Sequence, residues 1–143
     1  MKLVVASALL IASPAFADKA KDAAAWCVDH GGDTLVFDKT GHVSRDGETY
    51  AILWRGRLDA DRRQDVILDE GACGTRECML AGYVACADGT YAKVFSQYAA
   101  RVRVKPQKRG WALLLLEHVG DAKPRGERDR SWDTIRFGVN GYD

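Results

Sequence analysis

The chain has 143 residues, 47% of them hydrophobic and 29% charged, with a formal net charge of +1. These proportions suit a single soluble domain and exclude collagen-like and disordered classes. A near-neutral chain has no global field to draw it to nucleic acid or to a membrane surface.

Residues 1–17 read as an address. Lys2 supplies the positive start, residues 3–12 an apolar run, and Ala15-Phe16-Ala17 the small-x-small pattern of a signal-peptidase site. The run is too short to span a bilayer. Cleavage after Ala17 leaves one domain, 18–143, in a periplasm or outside the cell. No lipid anchor is expected, because Cys27 lies ten residues beyond the cleavage point.

Residues 18–30 are Ala-rich and predict a helix ended by Gly31-Gly32. Strands are expected from there on. Residues 34–37 form a short one, and Thr40-Gly41 starts a turn. Residues 50–58 alternate apolar and polar, 66–68 are a buried run, and 79–85 are apolar on both faces. Asp88-Gly89 is a two-residue hairpin signal leading into 91–98. Residues 100–105 place Val102 and Val104 inward and Arg101, Arg103 and Lys105 outward. After a turn at 106–110 comes the strand 111–117, then a charged loop at 121–130 and a last strand at 132–139. About seven strands and one leading helix predict a mainly β fold, an antiparallel curled sheet or small sandwich stapled by disulfides.

An oxidising compartment makes disulfides the default for Cys27, Cys73, Cys78 and Cys86. Cys78 and Cys86 lie on one strand, roughly 26 Å apart at the strand rise, and cannot bridge. Two pairings remain. Cys73–Cys78 closes a short Gly-containing loop and leaves Cys27–Cys86 to tie down the N-terminal segment; the alternative is Cys27–Cys78 with Cys73–Cys86. Cys27-x-x-His30 offers half of a zinc site, but no second such pair completes it.

The most informative stretch is Trp54-Arg55-Gly56-Arg57-Leu58-Asp59-Ala60-Asp61-Arg62-Arg63-Gln64-Asp65-Val66-Ile67-Leu68. It resembles the calcium loop of FG-GAP/VCBS-type repeats, in which alternate carboxylates converge on one hard cation ahead of an apolar strand. The resemblance implies Asp59, Asp61 and Asp65 as metal ligands and calcium as the ion. Arg57 stands where the pattern has its first Asp, and Arg62 replaces its glycine. The Arg57 guanidinium could pair with Asp59 or Asp61 and replace the ion. Glu70-Gly71-Ala72-Cys73-Gly74, then Cys78, Cys86-Ala87-Asp88-Gly89-Thr90-Tyr91 and the closing Ile135-Arg136-Phe137-Gly138-Val139-Asn140-Gly141-Tyr142 look more loosely like small exported bacterial proteins. Together the resemblance covers about residues 50–98 and 132–142 and implies a scaffold more than an activity. One copy of the loop is too few for a propeller.

Nucleophile, phosphate-loop and zinc-protease motifs are lacking. Trp26, Trp54, Trp111 and Trp132 sit on apolar positions of expected elements and read as core. His118 reads as a half-buried structural histidine. Charge is uneven: residues 18–100 hold 10 basic and 14 acidic groups, whereas 101–130 hold 9 and 4. The leading expectation is a non-catalytic exported binding module, such as an inhibitor or immunity-type protein, whose partner is another exported protein. Its contacts would come from residues 59–63 and from Arg101, Arg103 and Lys105. The alternatives are a calcium-stabilised structural envelope protein and a small cell-wall hydrolase with an unrecognised site.

Overall fold

The computed structural model describes residues 23–122 and 128–143; the expected signal segment and the first residues of the expected helix lie outside them. Helix α1 covers 23–30 and closes when Gly31 N donates to Cys27 O at 2.8 Å. Strands then follow as β1 (Val36–Phe37), β2 (His42–Arg45), β3 (Glu48–Gly56), β4 (Asp65–Asp69), β5 (Cys78–Ala85) and β6 (Tyr91–Ala99). After them come β7 (Arg101–Lys105), β8 (Leu113–Ala122), β9 (Arg128–Ile135), β10 (Phe137–Gly138) and β11 (Gly141–Tyr142).

The first six strands form an antiparallel meander in chain order. Its hairpins are written locally. Asp46 and Gly47 both have positive φ (52° and 82°), the backbone of the two-residue turn whose twist matches the strands it joins. A bulge between Ile52 and Trp54 turns β3 over: Ile52 packs inside the curl of the sheet and Trp54 on its other face. Asp33, just ahead of β1, exchanges backbone hydrogen bonds with Tyr91 of β6 at 3.1 and 2.8 Å. The two ends of the strand order thereby meet, and the sheet closes on itself at that end. Leu35, Val43, Val66, Leu68, Ala81 and Tyr83 fill the inside.

The opposite face packs on the antiparallel sheet β7-β8-β9. Ile67, Leu80, Val84, Val94 and Phe95 meet Leu114, Leu116 and Ile135 there. Because β4 and β5 are covered on both faces, residues 66–68 and 80–84 are wholly buried. Gly82 is required at this seam: a Cβ would stand 2.2 Å from the Phe95 ring. Gly141 has φ of 89° and would put a Cβ 2.3 Å from Val94 O, so the β10–β11 hairpin can lie against β6 only with glycine there.

The expected mainly β, antiparallel, disulfide-stapled architecture with one helix is present, with three departures in detail. Among the described residues eleven strands replace about seven. A strand at 42–45 was not expected. The charged stretch 121–130 is not one loop, since β8 runs through Ala122 and β9 begins at Arg128. Charge there signals a sheet with one wet face, which antiparallel strands tolerate, rather than a turn. The expected strand 132–139 is divided, because Arg136 leaves β8 and exchanges backbone bonds with Asp143 instead.

Both disulfides follow the favoured pairing, Cys27–Cys86 and Cys73–Cys78. All four cysteines are consumed, which removes Cys27 as a zinc ligand. The bridges close loops of very different length, with sequence separations of 59 and 5. On the chain-entropy account, removing Cys27–Cys86 costs about 2 kcal/mol more than removing Cys73–Cys78. Urea unfolding of the two double-alanine variants measures that difference.

Candidate metal centre and basic sheet face

Asp59, Asp61 and Asp65 come together as the resemblance implies. One carboxylate oxygen from each lies within 4.8 Å of the others. Oxygens held 2.3–2.6 Å from a single calcium ion are at most about 5 Å apart, so the spacing already fits one hard cation. Asp65 is fully buried at the start of β4, and its Oδ2 accepts from Leu58 N at 2.6 Å while Oδ1 accepts from Ala85 N at 2.9 Å. Asp59 is 7% exposed; its Oδ1 accepts from Asp61 N at 2.9 Å, and its Oδ2 is buried with no hydrogen-bond partner. Asp61 sits nearer the surface, where its two oxygens accept from Arg63 N and Arg63 Nη1 at 2.7 and 3.0 Å.

Burial, and then the neighbouring Asp65 charge, pushes the Asp59 carboxyl up to about 7. Burial likewise raises Asp65 to about 6, opposed by the hydrogen bonds from Ala85 and Leu58. An orphaned carboxylate oxygen beside two more carboxylates is a costly arrangement in a bare protein. A divalent cation placed there would supply the missing partner and cancel the repulsion. An all-oxygen set selects calcium or magnesium over zinc. Among the described residues Arg57 pairs with neither Asp59 nor Asp61; Arg63 alone reaches the triad, at its exposed edge. The substitution of ion by Arg57 is therefore not what the structure contains.

The loop is wired into both sheets. Leu58 N binds Asp65, Leu58 O accepts from Ala112 N at 2.7 Å, and Ala112 O accepts from Tyr142 Oη at 2.9 Å. Ala85, the other donor to Asp65, is the neighbour of disulfide-bonded Cys86. Whatever fixes Asp65 thus fixes the junction of α1, β5, β8 and the C-terminal hairpin. Beside the triad, α1 and residues 60–63 and 85–88 bound a cleft of about 660 Å³.

Arg101, Arg103 and Lys105 all point outward from β7, as their alternation predicts. Register places them in rows with β8 and β9: Arg101 opposite Glu117 and then Trp132, Arg103 opposite Leu115 and then Thr134, Lys105 opposite Leu113. Paired residues of an antiparallel sheet share a face. Trp132 therefore lies on this outer face and not in the core as its apolar context suggests. The Arg103 and Arg101 guanidinium carbons stand 4.6 and 5.8 Å from its ring centroid.

Glu117 lies beneath these cations and is only 1% exposed, while Arg101 and Arg130 are 55% and 60% exposed. It accepts from Arg101 through both oxygens and from Arg130 Nη1 at 3.2 Å. The Arg101 pair, above all, lowers its carboxyl to about 2. Because this value lies below that of an unfolded glutamate, the stabilisation is complete at neutral pH and is lost as pH falls toward 2. Glu117→Gln is expected to lower urea stability at pH 7 and to leave it unchanged near pH 2.

Two further side chains have defined surroundings, and sequence reasoning passed over the first of them, Glu70. Glu70 accepts from Arg45 at 2.7 Å, Tyr83 Oη at 2.5 Å and Lys93, stoppering the curled sheet at one end. His118 is half-buried, as expected, between Glu77 and Asp133 at 3.3 and 3.4 Å. The signal for Glu70 is its place one residue beyond a buried strand. Nothing local indicates that Arg45 and Lys93 would converge on it. Comparison of the chain with protein-family models, with curated proteins and with solved structures finds no match, so the reading of these sites rests on their geometry.

Proposed function

We propose that the chain is an exported, non-catalytic binding module whose 58–65 loop is fastened by a calcium ion. The observation that carries the metal part is the buried, partnerless Oδ2 of Asp59, on a carboxylate that clusters with those of Asp61 and Asp65. The binding part is supported by the outward cations of β7 around Trp132, on a sheet whose other face is committed to the core. Two disulfides fit an oxidising compartment, and with the signal-like segment 1–17 they support a periplasmic or secreted location. Among the described residues no helix is long and apolar enough to cross a membrane.

Calcium titration of the oxidised protein by calorimetry tests the metal assignment. One site is expected, with Asp61→Asn weakening it by about tenfold or more, because one of three charges is lost at a position exposed enough to leave folding intact. Absence of a binding isotherm in the wild-type protein overturns the assignment. Peptidoglycan zymography separates this reading from the cell-wall hydrolase: a cleared band from pure protein would replace the binding module with an enzyme.

A further inference from the structure

The outer face of β7-β8-β9 has the make-up of a protein-binding patch, and its charge defines what it would bind. Its middle is apolar, with Leu113, Leu115 and Trp132 half-buried in adjacent rows. Arg101, Arg103 and Lys105 flank that middle along β7, and Arg130 stands beyond Trp132 on β9. Among the described residues the face has one carboxylate, Glu117, and it is already consumed by Arg101 and Arg130. Among the described residues no carboxylate pairs with Arg103 or Lys105. The face therefore offers uncompensated positive charge about an apolar centre, the pattern of a desolvated core with a polar rim. Tryptophan and arginine are also the side chains that carry most energy at protein interfaces.

We infer that this face docks an acidic segment of another protein, with apolar side chains on Leu113 and Leu115 and a carboxylate on the Arg103 guanidinium. The inference deepens the binding-module reading and rests on it. A guanidinium held over an indole, as Arg103 is over Trp132 at 4.6 Å, still has N–H groups to offer a carboxylate. That same cover removes the Trp132 face as a platform for a sugar ring. A simple polyanion would need the cations and have no use for the leucines between them. An acidic protein segment uses both.

The test uses a short fluorescein-labelled peptide of alternating Glu and Leu, with dextran sulfate and phosphatidylglycerol vesicles as competing polyanions. Anisotropy should show saturable peptide binding that weakens steeply with salt. Arg103→Glu should weaken it by about tenfold or more, and Arg103→Lys by less. Lys108→Glu, the same charge change in the turn beyond β7, should leave it unaltered. Two results overturn the inference: no peptide binding, or equal loss from Arg103→Glu and Lys108→Glu with dextran sulfate or vesicles bound as tightly as the peptide. Neither variant touches the metal loop, so a calcium isotherm that persists when the peptide fails sinks the docking face alone.

Discussion

Replacing Asp65 by alanine is expected to lower the free energy of unfolding by about 3 to 5 kcal/mol, because it orphans two buried backbone donors at once. Leu58 N and Ala85 N both point at this carboxylate, from 2.6 and 2.9 Å, and Asp65 is fully buried. Water cannot replace the lost acceptor without opening the seam between the loop and the end of β5. Leu58 also holds Ala112, and Ala112 holds Tyr142, so the loss reaches the second sheet and the C-terminal hairpin. Asp65→Asn keeps one acceptor oxygen and should recover about half of the loss. Urea unfolding with chelator present measures both variants without a contribution from metal. A loss below about 1 kcal/mol for the alanine variant, the size of a typical surface change, would show that the loop is not anchored through Asp65.

The second large effect is that of calcium itself. A ligand that binds only the native state, at a thousand times its dissociation constant, adds about 4 kcal/mol. For a domain of this size that is a rise in Tm of about 10–15 °C. The gain should depend on pH in a defined sense. Burial raises Asp59 to about 7 and Asp65 to about 6, both above the values of unfolded aspartates. In metal-free protein the protonated carboxyls are the favoured folded species, so their contribution is full at low pH and is lost as pH rises through 6 to 7. Bound calcium removes that loss by replacing the protons. Melting curves across pH 5 to 8 should therefore diverge, with chelated protein weakening as pH rises while calcium-loaded protein holds. Parallel curves would mean that Asp59 and Asp65 are ionised at no cost.

Much of the fold is written in short-range chemistry, and the departures have physical causes. Residues 79–85, apolar on both faces, became the doubly covered β5, and Asp88-Gly89 became the hairpin into β6. The strand at 42–45 also had a local signature in Asp46-Gly47, but only Val43 of its four residues is buried, so hydrophobic pattern alone does not mark it. Closure of the curled sheet through Asp33 and Tyr91 left no such mark, since one isolated bridge depends on tertiary packing and not on neighbouring residues.

The sites divide in the same way. Alternate carboxylates at 59, 61 and 65 were legible because their spacing is local. That Asp65 would turn its oxygens to Leu58 and Ala85, leaving Asp59 Oδ2 the orphan, follows only from the fold. Alternation along β7 foretold the outward cations. Placement of Trp132 beneath them required the register of β8 on β9, which apolar context alone could not supply.

The most direct test of the metal-fastened loop is the Tm of the oxidised wild-type protein near pH 7.5, measured with chelator and then with saturating calcium. The account predicts a rise of about 10 °C or more with calcium. An unchanged Tm would contradict it, leaving the triad a turn held by Arg63 and the hydrogen bonds of Asp65.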